Sequence, residues 1–410
     1  MAQETKKENK ALAGVKVVAF ELALAGPMTT SMLADYGAEV IKVESRTRID
    51  WMRQVGPFIG SERKSNEGSV CYLAPNASKL DLSLDIKHPR AMEVMRRLIE
   101  WADVVSDNFA GGVIARIGLG YEELRKIKPD IIVLSSSIYG QTGSFAQVPG
   151  YGAILTALTG LSHLTGFPDQ LPQAPGFAIT DFIAPRINVL AIVAALEYRR
   201  RTGKGQYIDA AQMETIIPLL TPVLLEYEVN GREVSRVGNT STRAAPHGVY
   251  RCKGDDRWCA ISCFTDEDWQ RFCQVIGSPA WTEDPGFSTL LRRIKNAEKL
   301  DAMVEQWTLG YTPEEVMKLM QDAGIAAGVV QSGRDLDNDP QLKAQNFFRK
   351  LDHPGLGKFS YAGMPAQLSK TPYEVERAPF LGEHTEHVCT KVLGFSDEEF
   401  VQLVADGVLE

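Results

Sequence analysis

Asp181 is the residue on which chemistry is most readily hung. It stands just ahead of an apolar run, Ile183, Ile187, Leu190, Ile192, Val193 and Leu196, whose spacings of three and four read as a buried helix. Pro185 is placed in the first turn, where its missing N–H costs nothing. Arg199, Arg200 and Arg201 suit the negative end, and Gly203 supplies a left-handed stop. An Asp in such a place has two readings. It is a helix N-cap, or it is a carboxylate kept ionised by the helix N-terminus and thereby able to act as a nucleophile. The local sequence leaves both open. A second group, Arg46, Arg48, Arg53, Arg63 and Lys64, falls in an aperiodic stretch over residues 45–75, either a phosphate-receiving patch or a solvated surface. The six cysteines and six histidines are scattered without ligand spacing, so reduced, buried thiols and no metal site are expected.

The elements that must position these groups begin with a βαβ unit. GVKVVAFE reads as a buried strand, TTSMLADYGAE as a helix stopping at Gly37, and VIKVE as a second strand. A right-handed crossover within about 30 residues implies a parallel sheet. No GxGxxG follows the first strand, so no dinucleotide is inferred. LDLSLDIK, VVSDNF and KPDIIVLSSSIYGQTG continue the strands, and their tips bring Asn108, Phe109 and Ser135 to Ser137 toward one edge, where open α/β sheets bind ligands. The expected organisation is a solvated tail over 1–13, a Rossmann-like large domain with a parallel sheet over 14–227, a smaller inserted α+β domain over 228–330, and a return segment over 331–410. GIAAGVVQ is grouped with that return.

At 410 residues and 44% hydrophobic content the chain can fill several cores. Its 52 acidic against 44 basic residues, a formal charge of −8, argue against nucleic acid or an anionic membrane as partner. MAQETKKENK carries no apolar core of a signal peptide, and no uncharged apolar run approaches a span of about 18 residues, so a cytoplasmic location is expected.

Seven segments in order, GVKVVAFELALAGPMTTSMLADYGAEVIKVE, NASKLDLSLDIK, DNFAGGVIARIGLGYEELRKIKPDIIVLSSSIYGQTG, PGYGAILTALTGL, ALEYRRRTGKGQYIDAAQ, AAPHGVYRCKGDDRW and FLGEHTEHV, resemble the class III CoA-transferases. That group includes formyl-CoA and carnitine CoA-transferases and the α-methylacyl-CoA racemases. The resemblance covers nearly the whole chain and implies two interlocked subunits. It also implies that Asp181, the Asp ahead of the helix leading into TGKGQ, is the nucleophile. The reaction would move CoA from an acyl-CoA to a free carboxylic acid through an aspartyl anhydride and an aspartyl-CoA thioester. CoA would be a substrate, with no tightly bound cofactor. Lys42, Lys87, Asn108, Phe109 and Arg116 match family positions for the nucleotide end of CoA, with Arg46 added from the basic patch. The glycine-rich loop of formyl-CoA transferases has no counterpart, since NTSTRAAPHG stands there.

The racemases pair their Asp with a His about thirty residues earlier; here Tyr151 stands at that place, 181 − 151 = 30. A phenol with an ordinary pKa near 10 is a poor base at neutral pH, which favours transfer over racemisation. Transferases of the family usually carry an acid after this Tyr, but here Gly152 follows and is read as making room for a larger acyl group. Trp51, Phe58, Phe167 and Tyr151 are candidates for an aromatic-tolerant pocket, as in a benzylsuccinate-type subgroup. The alternatives are a racemase or epimerase, or a non-catalytic subunit of a heteromeric transferase; a homodimer or a related partner fits the main reading.

Overall fold

A computed structural model describes residues 9–60 and 66–410. The chain forms two compact units. One comprises residues up to 160, 174–232 and 343–410; the other comprises 161–173 and 233–342.

The first unit is built on six parallel strands, β1 (Lys16–Phe20), β2 (Glu39–Glu44), β3 (Leu80–Ser83), β4 (Val104–Asp107), β5 (Ile132–Ser137) and β6 (Gln206–Ala211), in the order β3-β2-β1-β4-β5-β6. Helices cover both faces, so the strands read as continuous apolar runs; Val17, Val18 and Ala19 are fully buried. The order reverses between β1 and β4, and the loops leaving their carboxyl ends diverge to open a crevice there.

Five helices of this unit support or border the sheet's carboxyl edge and core: α1 (Ala25–Asp35), α2 (Ala91–Trp101), α3 (Gly152–Leu158), α4 (Ile179–Thr202) and α5 (Gln212–Ile216). Helix α2 is amphipathic and buries Val94, Met95, Leu98 and Ile99 against one sheet face. Residues from the C-terminal stretch, Val388, Leu403 and Leu409, join the same core. On the other face α4 packs beside α1. Its Asn188 is buried and donates to Thr29 Oγ1 of α1 at 3.2 Å and to Ser136 Oγ of β5 at 3.0 Å, which fixes the helix on the sheet. Helix α4 is also long and apolar enough, by length and composition, to cross a membrane, an exception to the reading that no run approaches such a span.

The start of α4 differs from expectation. The helix begins at Ile179 with Ala178 as its N-cap and no side-chain cap hydrogen bond, so Asp181 lies inside the first turn and caps nothing. Pro185 is inside the helix, four residues after Asp181. Having no N–H, it leaves the Asp181 carbonyl without its intrahelical donor and loosens the backbone at that residue.

The second unit holds a three-stranded antiparallel sheet, β7 (His247–Arg251), β8 (Trp258–Ser262) and β9 (Ala326–Val329), in the order β7-β8-β9. GIAAGVVQ therefore belongs here and not to a return segment: Ala327 and Gly328 of β9 pair with Ile261 and Ala260 of β8. A short apolar run signals a strand without naming its partner. Trp269, Phe272, Phe287, Leu300 and Met320 form this unit's core.

Candidate active site

A cavity of about 670 Å³ lies at the carboxyl edge of the sheet. Leu22 to Ala25 enter it after β1, Asn108 to Ala110 after β4, and Ser137 to Tyr139 after β5. Tyr151 just ahead of α3, Asp181 of α4 and Gln212 at the start of α5 complete the far side, with Trp51 also in the lining. The structure thus brings together Asp181, Tyr151, Trp51, Asn108 and Phe109 from the sequence reading. Tyr151 and Trp51 are 66% and 49% exposed, as side chains at a mouth are. Asn108 is a clamp: its Oδ1 accepts from the Leu22 N–H at 2.9 Å and its Nδ2 donates to the Leu22 carbonyl at 2.7 Å, holding the loop after β1.

Asp181 is the sole charged residue among the described ones lining this cavity. Burial pushes its carboxyl up from 3.8 to about 6, because a low-dielectric site disfavours the anion. No helix N–H offsets this, since the side chain makes no cap bond. The anion is therefore weakly solvated, while still predominant at neutral pH. Gly152 is buried beside it, and the room expected there for an acyl group is already taken. A methyl group on Gly152 would lie 2.6 Å from Asp181 Oδ2 and 2.5 Å from Ala178 Cβ.

Several cations read as CoA ligands are placed elsewhere. Lys42 and Arg53 are fully buried in an ionic cluster between β2 and the segment after it. The Lys42 ammonium donates to Asp50 at 2.8 Å; Arg53 bridges Glu44 at 2.8 Å and Glu67 at 2.7 Å and donates to the Tyr72 hydroxyl at 2.6 Å. Their charges are spent on partners, which leaves none for a phosphate. A smaller cleft of about 110 Å³ adjoins the cavity, sharing Leu22 and Phe109 with it, and gathers Arg48 and Lys87 together with Glu21, Glu44 and Asp85 near the ends of β2 and β3. Arg46 and Arg116 are exposed but line neither space. Arg63 and Lys64 lie outside the described residues. Phe58 bridges to Ser69 away from the cavity, and Phe167 belongs to the second unit, where it lies against Gly238.

The match with known proteins runs the length of the chain. Residues 12–385 fit the model described as CoA-transferase family III. The chain belongs to CoA-transferase family III. It is 32% identical to the succinyl-CoA–D-citramalate CoA-transferase of Chloroflexus aurantiacus, over 99% of this chain and 100% of that one. It is 33% identical to the formyl-CoA:oxalate CoA-transferase of Bradyrhizobium diazoefficiens, over 98% and 97%. Among solved structures, a CAIB/BAIF family protein from Brucella suis superposes with a TM-score of 0.86 at 32% identity, covering 94% of this chain and 100% of that one.

In this family III CoA-transferase two cavity residues are not singled out by the sequence as participants. Ser137 ends β5, and Gln212 directly follows Ala211, which pairs with Ser137 in the sheet register. In sequence Ser137 is only one member of a strand tip. Gln212 carries a weaker signal: it is the first residue past a strand that ends at the ligand-binding edge.

Proposed function

We propose that this CoA-transferase works through Asp181 as a covalent nucleophile. The observation that carries the reading is a lone, half-buried carboxylate in an otherwise uncharged cavity among the described residues. Arg48 and Lys87, exposed at the adjoining cleft, are assigned to the phosphates of CoA, while Glu44 in that cleft is already paired with Arg53; this leaves the thioester end to reach Asp181.

The steps balance without a net proton. Asp181 attacks the acyl carbonyl of the donor thioester, and the C–S bond breaks to release CoA thiolate and leave a mixed anhydride. The thiolate attacks Cγ of Asp181, expelling the donor acid as its carboxylate and forming an aspartyl-CoA thioester. The acceptor carboxylate then attacks the same Cγ, displacing thiolate into a second anhydride. Thiolate attack on the acceptor's acyl carbon releases the new acyl-CoA and restores the Asp181 carboxylate. Anhydrides hydrolyse, so the apolar wall of Leu22, Leu24, Ile138 and Val148 serves by excluding water. Among the described residues no His lines the cavity, and a two-base racemisation finds only phenols beside Asp181.

A dimer goes with this reading. Ile187, Leu190 and Val193 of α4 are 47%, 65% and 40% exposed, and Leu219, Leu224, Leu225 and Val229 are exposed nearby in sequence. An apolar face of that size marks a protein interface, here with a second copy. Light scattering that returned a monomer at micromolar concentration would count against it. For the chemistry, wild type and Asp181→Ala are incubated with succinyl-CoA or formyl-CoA and a panel of free acids. Transfer by the wild type and none by the variant is the expected result.

A further inference from the structure

The loop after β1 is held one residue at a time. Leu22 is clamped at both its N–H and its carbonyl by Asn108, and the Leu24 carbonyl accepts the Met28 N–H at 2.8 Å as α1 begins. Between them Ala23 sits at φ 63°, a left-handed conformation that a β-carbon disfavours. Among the described residues five non-glycines lie at positive φ. Ala23 is the one with no polar side chain to support itself, and the one that lines the Asp181 cavity. Such a backbone persists only where its surroundings hold it. At Ala23 the hold is a distant side chain: its N–H donates to Asp50 Oδ1 at 3.2 Å.

Asp50 is fully buried, and its two oxygens are divided between two tasks. Oδ2 accepts from the Lys42 ammonium at 2.8 Å, which ties the carboxylate to β2 in the sheet. Oδ1 accepts the Ala23 N–H and, at 3.1 Å, the Met52 N–H, so it also caps the short helical turn Trp51–Gln54. Trp51, which opens that turn, lines the same cavity as Ala23. Two pieces of the cavity wall, distant in sequence, thus hang from one oxygen.

We propose that Asp50 is a positioning residue for CoA transfer: held by Lys42, it fixes Ala23 in the left-handed region and so sets the wall that the loop after β1 gives to the Asp181 cavity. It touches no reacting atom and acts through Ala23. The acceptor oxygen does the positioning, and the ion pair keeps that oxygen aimed. A carboxylate suits both tasks where an amide does not. An amide at this place turns its NH2 either to the Lys42 ammonium or to the two backbone N–H groups, donor against donor in both cases. The proposal rests on the CoA-transfer reading only for the reaction that the wall serves.

The test removes the ion pair from both arms and varies the acceptor alone. Lys42→Met with Asp50→Asn keeps an oxygen for the Ala23 and Met52 N–H groups, and its NH2 no longer meets an ammonium. Lys42→Met with Asp50→Leu fills a similar volume with no acceptor. Crystal structures are expected to show residue 23 at positive φ in the Asn form and relaxed to negative φ in the Leu form. With the donor and acid that the wild type exchanges, kcat should stay within about tenfold of wild type in the Asn form and fall about 100-fold in the Leu form. Adding Ala23→Gly to the Leu form should recover about tenfold, since glycine takes that φ without an anchor, a recovery that loss of a merely structural ion pair would not show. Should the Leu form not fold, Asp50→Asn alone carries the comparison: its kcat should lie below that of the Asn form with Lys42→Met, and an equal or higher value would overturn the proposal. A left-handed residue 23 in the Leu form, equal kcat in the two forms, or no recovery by glycine would overturn it as well. Residue 23 relaxing in the Leu form while the wild type exchanges no acid would uphold the anchor and overturn the transfer reading.

Discussion

The carboxylate of Asp181 rests against the bare Cα of Gly152, so close that a β-carbon there would fall 2.6 Å from Oδ2 and 2.9 Å from Cγ. Gly152 is the first residue of α3 and buried, and the same β-carbon would also fall 2.5 Å from Ala178 Cβ. Gly152→Ala is expected to push the carboxylate from its place and lower kcat about 100-fold, the cost of misplacing a reacting group by an ångström. The KM for acyl-CoA should move little, because Arg48 and Lys87 lie elsewhere. Steady-state kinetics showing wild-type kcat would mean that the glycine does not position Asp181.

The raised carboxyl of Asp181 sets a pH profile. If the Asp181 anion is the nucleophile, as proposed, kcat/KM should be flat above about pH 6 and fall with unit slope below it. The same shift carries a stability effect of opposite sense. Protonated Asp181 is the form the fold tolerates, so its penalty is absent below 3.8 and fully present above about 6. Asp181→Asn should then be more heat-stable than wild type at pH 7, by at most about 3 kcal/mol, with the gain vanishing near pH 4. An equal melting temperature at pH 7 would show that the site does not destabilise the anion.

Arg53 holds three carboxylates near one buried point. Its guanidinium contacts Glu44 and Glu67 by hydrogen bonds and approaches Asp81 to 3.8 Å. Arg53→Met leaves Glu44 and Asp81 buried without this partner and should cost about 3–5 kcal/mol, read by urea denaturation at pH 7. A loss under about 1 kcal/mol would place these groups in effective contact with water.

Lys87 and Arg48 share the small cleft, and the CoA phosphates are expected there. Replacing both by Ala should raise the KM for acyl-CoA about 10- to 100-fold, with kcat changed far less. An unchanged KM would put the nucleotide elsewhere.

What the chain discloses in advance of its structure depends on how locally each feature is encoded. The βαβ opening is legible because VVAF is an uninterrupted apolar run and VIKV is broken only by Lys42, one on either side of a helix, as buried parallel strands favour. Asp181 is located by its distance from the TGKGQ turn, where Gly203 takes up φ 72° as the helix stop. Its surroundings are not legible, because Pro185 suggests a later helix start than Ile179, and the crowding at Gly152 arises between residues 29 positions apart. Lys42 and Arg53 resemble phosphate ligands because cations after a strand look alike in sequence whether they meet solvent or buried acids. The partners that decide the matter, Asp50, Glu67 and Asp81, are brought in by folding. The placement of β9 fails for a similar reason: a strand's partner is a long-range choice.

The most direct measurement is a trap of the acyl-enzyme. Wild-type protein given succinyl-CoA and then hydroxylamine, digested and read by mass spectrometry, should carry one hydroxamate, on the peptide containing Asp181 and at Asp181 itself. Asp181→Asn treated in the same way should carry none. A hydroxamate on another residue, or transfer by the wild type with Asp181 never modified, would contradict covalent catalysis at this carboxylate.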